Sequence, residues 1–442
     1  MARKLDLLAA IAFVLGLLAL AFVTGFFSGK NRGLFYDPLK LLEETARGFW
    51  NAYIDRSDLI QEGRPGTPME TRARTLEAAR MAPGATLVVA NTADGFGAWL
   101  VDREGRELHR WRASFSEVFP QAPHLLYQAS DDMIAWHGTH LFPNGDILFN
   151  FQDSNFPFGS GLVKLDRDSK VVWKLARNTH HDVSVDDNGT IWVPSQHYRP
   201  EGLPGFVHLR PWYYEDTVLE VAPDGSVRRE ISVLGALKEN QGLLSITYAL
   251  ATEIDQSDPI HLNSVEALPA AWADRFPGLA AGDLLVSLRN INALLVLDGT
   301  TGKAKRVFAG PFVRQHDADF LPNGNLLVYD NAGGDPACGG TRVIEFDPDD
   351  MSVVWQYDGC EDGGFASQTR GMQTLLPNGN LLTVEPLAGR ALEVTREPDP
   401  KLVWDYVNVI GAEDGRPLVG VVLHAERLPE TALGFLERAA AP

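Results

Sequence analysis

The most regular feature of the chain is a polar cluster, a short alternation of apolar and polar residues, a Pro-Asn-Gly turn and then a second apolar run. It is clearest where Arg314-Gln315-His316-Asp317 precedes Ala318-Asp319-Phe320-Leu321, the turn Pro322-Asn323-Gly324, and Asn325-Leu326-Leu327-Val328-Tyr329. The frame recurs from His137 to the turn at Pro143, from His181 to the turn at Asp187, from Gly371 to the turn at Pro377, and more loosely from His261 to Pro269. Three of these five copies place a histidine six residues before the turn; the looser one has Asn263 there and His261 two residues earlier, and the last has Gly371 preceded by Arg370. Alternation of period two predicts strands with one buried face. Each copy continues into a third strand and a fourth, which ends in a Val/Trp-rich run such as Val171-Val172-Trp173 or Val353-Val354-Trp355. A four-strand unit repeating every ~40–50 residues is the signature of propeller blades.

Before the first copy, 85–113 supplies three strands around Thr86, Trp99 and Leu108, one short of a unit. The C-terminal run 421–429 resembles the opening strand of the other copies, so it is expected to enter this blade as its innermost strand and leave no open edge. The expected fold is therefore all-β, a six-bladed β-propeller over 84–442. In such a ring the first strand of every blade lines the axis, so like positions of distant repeats converge.

The remaining segments read differently. The uncharged apolar run 7–29 is long enough for a membrane-spanning helix. It predicts an uncleaved signal anchor within 1–32, with the propeller held outside the cytoplasm on a single inner-membrane pass. A connector, 33–83, reads as two helices, one from Asp37-Pro38 to about Tyr53 and one over about 69–81. The excursions between Gln152 and Ser160, with Phe156 and Phe158, and between Ser195 and Thr217 are candidates for an aromatic-substrate rim. The stretch 233–250 predicts an inserted helix.

Charge narrows the partners: 39 basic against 58 acidic residues, a net −19, excludes a nucleic-acid role and requires any bound anion to be held by local groups. The chain has two cysteines, Cys338 and Cys360, within one predicted blade, and they are expected to form a disulfide in an oxidising compartment. Their spacing does not suit zinc. Oligomeric state is not legible.

The candidate chemistry lies where the repeats converge: His137, His181, His261, Asn263 and His316, joined by Arg289, a charge inside the apolar run 284–297 that calls for an anion. Imidazoles and an arginine around one axis suit a compact tetrahedral oxyanion. A neutral imidazole can also be the nucleophile that accepts a phosphoryl or sulfuryl group. His140, His180 and His424 read as structural, bonding to the neighbouring blade. A metal is not expected, because no carboxylate recurs in the frame; Asp182 and Asp317 follow their histidines and should face the other way.

The motifs His180-His181-Asp182, His261-Leu262-Asn263-Ser264-Val265, Ser287-Leu288-Arg289 and Arg314-Gln315-His316, in that order, give the chain its resemblance to the PAPS-independent bacterial aryl sulfotransferases, over about 84–437. The resemblance implies a periplasmic six-bladed propeller that needs no cofactor. It implies a ping-pong reaction in which an aryl sulfate sulfurylates His316 and a phenol then takes the group. By the same resemblance His181 is the acid and base, and His261, Asn263 and Arg289 hold the sulfuryl oxygens; His137 and Arg370 are further candidates for binding substrate. Two departures stand out: there is no room for those enzymes' N-terminal β-sandwich, and Gly371 beside Arg370 replaces a further hydroxyl residue. The alternatives are a metal-dependent ester or lactone hydrolase and a non-catalytic binding propeller.

Overall fold

The computed structural model describes residues 59–125, 129–153, 157–201, 213–239 and 258–437, besides the isolated Gly16. The chain separates into two compact units, Met1–Arg56 and Ser57–Pro442. Apart from Gly16, the expected anchor lies outside the described residues, as do the first connector helix and Phe156. Among the described residues no helix is long and apolar enough to cross a membrane.

The second unit is an all-β fold of antiparallel meanders. Among the described residues six sheets have four or five strands and a seventh has three. The repeats map onto sheets that open with Ile134–Leu141, Ser184–Val185, Leu262–Ala267, His316–Phe320 and Gln373–Leu375. The remaining large sheet joins the C-terminal strand Val422–Leu428 to Ala85–Thr92, Gly95–Val101 and Glu107–Trp111, so the far end of the chain supplies its first strand as expected.

Burial explains the strand sequences. Second and third strands such as Leu284–Leu288, Ala293–Leu297 and Leu326–Asp330 are covered on both faces and read as near-continuous apolar runs, interrupted by Ser287 and ended by Asp330. The fourth strands, Val171–Leu175 and Val353–Tyr357, keep Val171, Val172 and Val354 exposed. The turns need their glycines: Gly145, Gly189, Gly324 and Gly379 all have φ between 76° and 94°, a region that side chains disfavour. In each, the glycine N–H donates to the carbonyl three residues back, as in Gly324 to Leu321 at 3.0 Å.

Four first strands carry a one-residue bulge, at His137/Thr139, Leu262/Ser264, His316/Ala318 and Val422/His424. The extra residue re-aims the side chains beside it. Asp317, the extra residue after His316, has φ 46°. At the corresponding Gly138 a Cβ would come within 2.4 Å of Asp182 in the next repeat, so no side chain fits.

Carboxylates of the first strands and their approaches stitch successive sheets together. Asp182 Oδ2 accepts from Val265 N–H at 2.9 Å, Glu266 Oε2 from Phe320 N–H at 2.6 Å, and Asp317 Oδ2 from Gln373 N–H at 2.6 Å. Asp182 and Asp317 thus face the adjoining sheet. Burial first, and the neighbouring carboxyls of Asp317 and Asp182 after it, push the Glu266 carboxyl up to about 8. A carboxyl raised on folding stabilises the protein at low pH, and that contribution is lost as pH rises from the ordinary 4.5 toward about 8. Glu266→Gln keeps an acceptor for Phe320 N–H without the charge. It should raise Tm at pH 8 by on the order of 2–4 °C and change little at pH 5; calorimetry at both pH values checks this.

Two sequence expectations are corrected. The stretch 69–81 is not a helix: Arg72–Thr75 is a strand, paired with Leu402–Val407 as the outermost strand of the sheet that opens with Gln373–Leu375. That edge offers unpaired backbone groups, and Arg74 clamps Asp405 through Nε at 2.8 Å, so pairing overrides the helical pattern of the segment. The excursion after Ser195 begins and ends in paired strands, Ile191–Arg199 with Tyr213–Val221, while 202–212 lies outside the described residues. Of the expected 233–250 helix, Val233–Glu239 is described and helical. Cys338 and Cys360 form a disulfide with Cα atoms 4.7 Å apart.

Candidate active site

The histidines of three repeats meet. The rings of His181 and His261 are 4.9 Å apart between centroids, and each lies 6.5 Å from the ring of His316. Phe158 packs edge-on against His181 and His261, 5.4 Å from each, so the short aromatic excursion covers this cluster. All three histidines are buried, at 4–7% exposure.

Every one of them has its Nδ1 engaged, which leaves Nε2 for chemistry. His316 Nδ1 lies 2.7 Å from Asn331 Oδ1. The Asn331 amide nitrogen donates to the carbonyls of Ser367 and Arg370, both at 2.7 Å, so its oxygen must be the atom facing His316. An oxygen acceptor there requires the proton on Nδ1, and the lone pair is then on Nε2. His261 Nδ1 bonds Asp258 Oδ2 at 2.5 Å. His181 Nδ1 lies 2.7 Å from Nδ1 of His180.

The backbone pays attention to the same geometry. His181 and His261 have φ of 57° and 52°, a left-handed conformation costing about 1–2 kcal/mol for a residue with a side chain. Gln152 Oε1 accepts the His181 N–H at 2.6 Å, and His137 Nδ1 bonds the His181 carbonyl. The N–H of Arg289 donates to the His261 carbonyl at 3.1 Å. His137 therefore braces His181, while its own Nε2 is buried without a partner.

Arg289 is not within a strand, as its apolar surroundings suggest; it starts the tight turn Arg289–Ile291 that ends Leu284–Leu288. One Nη donates to Asn290 Oδ1 at 3.1 Å, and its buried Nε has no acceptor. Burial, then Arg314, lower its pKa to about 10, so it remains cationic at neutral pH. Asn263 donates to the Gln315 carbonyl at 2.8 Å and keeps a buried, unpartnered Oδ1. Arg370 is partly exposed; its carbonyl fixes Asn331 and its charge bears on His137. Gly371 is required because Tyr329 fills its space, with ring atoms 2.3 Å from where a Cβ would stand.

Burial is the largest influence on the imidazoles. It lowers His137 and His261 to about 3, and it takes His181 and His316 well below the usual histidine range. Mutual repulsion adds to this, from His261 on His181 and from Arg289 and His261 on His316. At neutral pH these rings are uncharged bases beside a cationic arginine.

Asn331, Asp258 and Gln152 were not legible as site residues, nor was Asp216, whose Oδ1 lies 3.5 Å from His180 Nε2. Asn331 and Asp258 stand outside the repeated frame, although Asn331 ends a polar Asp330-Asn331 step after an apolar strand. Asp258 also supplies a carboxylate companion that the frame itself lacks, bound to the nitrogen of His261 that faces away from the cluster.

Fold and centre together define an all-β repeat protein whose distant strands converge on a buried, anion-receptive histidine cluster. The family model of the arylsulfotransferases (ASST) matches residues 138–409, more than half of the chain. The protein belongs to the arylsulfotransferase family and is an aryl sulfotransferase, with small aryl compounds as substrates. No curated protein matches it. Similar solved structures include a Bacteroides caccae protein of unknown function, 13% identical, covering 78% of this chain and 98% of that one with a TM-score of 0.47. A streptogramin B lyase is 11% identical, covering 76% and 89%, with a TM-score of 0.40. The WD40 β-propeller domain of Doa1 is 10% identical, covering 82% and 96%, with a TM-score of 0.41.

Proposed function

We propose that the six large sheets close as the blades of one propeller and that its histidine cluster transfers a sulfuryl group by a ping-pong route through His316. The observation that carries this is the tautomer of His316: its Nδ1 proton is held by Asn331, so an unprotonated Nε2 is available to attack. In the first half-reaction Nε2 bonds to sulfur as the bond from sulfur to the phenolic oxygen breaks. His181 protonates the departing oxygen, and the acceptor phenol later gives a proton back to His181 as its oxygen takes the sulfuryl group. Arg289 Nε, with His261 and Asn263, lies against the sulfuryl oxygens, where charge is greatest as the bonds exchange. His137 and Arg370 support the substrate side.

The apolar 7–29 run and the disulfide support a membrane-anchored enzyme facing an oxidising compartment. The assay uses a nitrophenyl sulfate as donor with a phenol as acceptor. Rapid mixing should release a burst of nitrophenol before the acceptor is consumed; its absence, with steady turnover intact, would exclude the covalent route.

The pH profile gives a second test. With a nitrophenyl sulfate, whose phenol leaves without help from an acid, kcat/KM reports the free enzyme. An ordinary histidine of pKa ~6.5 would be only ~3% neutral at pH 5. Because His316 is held well below that value, its neutral form persists as pH falls, and kcat/KM should stay flat from about pH 8 to 5. A tenfold or larger fall across that range would show that the nucleophile is not so buried.

A further inference from the structure

His181 is joined to two residues for which the transfer reaction as described has no use. Its Nδ1 meets Nδ1 of His180 at 2.7 Å. On the far side of that ring, His180 Nε2 lies 3.5 Å from Asp216 Oδ1. Both of these atoms are buried and lack any other hydrogen-bond partner, so each is the other's natural complement. His180 and Asp216 are fully buried, at 0% exposure. Asp216 Oδ2 accepts the N–H of Leu262 at 3.0 Å, which fixes the carboxylate against the neighbouring strand. His180 is held by its own backbone, which donates to Pro194 at 3.0 Å and accepts from Asp182 at 2.8 Å. The bond expected from His180 to a neighbouring blade is thus replaced by contacts with His181 and with Asp216 of its own sheet.

We propose that Asp216, His180 and His181 form a buried carboxylate–imidazole–imidazole relay that stores, between the two half-reactions, the proton exchanged with the phenols. This inference rests on the ping-pong function proposed above. A ping-pong exchange of phenols in a buried site is served by such a store. The acceptor phenol surrenders a proton when its oxygen bonds to sulfur, and the next donor's oxygen needs one when its bond to sulfur breaks. The balance is complete within the chain. In accepting, His181 Nε2 takes the phenol proton while its Nδ1 proton passes to Nδ1 of His180. The positive charge then rests on His180, whose Nε2–H points at the Asp216 carboxylate. In donating, the proton returns by the same path and His181 Nε2–H protonates the leaving oxygen. No net proton, electron pair or co-reactant is needed.

The surroundings of the two rings explain why the charge belongs on His180. His181 is faced by His137, His261 and His316, and burial with their repulsion holds its pKa well below the ordinary value. A proton left there would be driven off before the next donor arrives. His180 faces the carboxylate of Asp216 instead, and a buried carboxylate needs a cationic or strongly donating partner. His180 and Asp216 are positioning residues, since neither touches the reacting atoms.

The test uses the full-length enzyme and a series of aryl sulfate donors whose phenols differ in acidity. The sulfuryl group on His316 is first demonstrated in the wild type by trapping and mass spectrometry; failure there would overturn the covalent route on which the relay rests, whereas loss of the graded donor effect with that group in place would overturn the relay alone. Asp216→Asn and His180→Gln are then compared with the wild type. Help from an acid matters little for an acidic nitrophenol and most for a weakly acidic phenol, where general acid–base catalysis contributes ~10²–10⁴-fold. The relay predicts a loss of about 100-fold for the weakly acidic phenol, shrinking steadily across the series toward the nitrophenol. A loss of the same size for every donor would indicate a merely structural role and overturn the proposal, as would wild-type rates throughout. Should Asp216→Asn fail to fold, His180→Gln on the same series decides between these outcomes.

Discussion

Replacing His316 by alanine should abolish sulfuryl transfer, lowering kcat with a nitrophenyl sulfate and a phenol by about 10⁴-fold or more, the order of loss that removal of a covalent nucleophile produces. The reason is specific to this ring. Its Nδ1 is occupied by Asn331, so the lone pair available for attack is on Nε2, and of the three rings that meet, His181, His261 and His316, it is the one with an amide oxygen to keep it there. His261 is tied to a carboxylate and His181 to a second imidazole. Those partners suit proton transfer and polarisation better than group transfer. The same variant should carry no sulfuryl group after incubation with donor alone, whereas the wild type gains one per chain. Turnover that survives in His316→Ala would remove the covalent intermediate from the mechanism.

The second large effect belongs to Arg289. Its guanidinium is buried with Nε unpartnered and retains its charge at neutral pH. A buried donor without an acceptor has already lost its water, so it gains most when an anion arrives. Arg289→Ala should lower kcat by about 10²–10³-fold, the usual consequence of losing a preorganised donor to developing charge. Arg289→Lys should recover little, because an ammonium cannot reproduce the planar fork. A steady-state comparison checks this: a change confined to KM, with kcat intact, would mean that the arginine binds the ground state and does not act on the transition state.

How much of this was legible beforehand follows from where each residue stands relative to the repeat. His137, His181 and His316 announce themselves because three copies of one frame place them identically, and a meander that repeats must bring its first strands together. Arg289 was conspicuous as a charge in an apolar run, yet the turn that carries it was not, since nothing local separates the end of Leu284–Leu288 from its continuation. Asn331, Asp258 and Asp216 were silent. Each acts through a partner 3 to 36 residues away in sequence, Asp258 on His261, Asn331 on His316 and Asp216 on His180, and such pairs are set by strand register and bulges. The stretch 69–81 misled in the opposite direction: its composition suits a helix, and only an open sheet edge with Asp405 waiting at it turned Arg72–Thr75 into a strand.

By itself, then, the order of amino acids determined the repeating all-β meander, the entry of the C-terminal strand into the first sheet, the cysteine pair and the identity of the converging imidazoles, because all of these depend on periodicity that is written locally. Only the tertiary structure decided which nitrogen of each imidazole is free, which carboxylate stands behind it and how far burial holds it uncharged. Those properties depend on contacts between sheets and on the exclusion of water, and neither is encoded in the neighbourhood of any one residue.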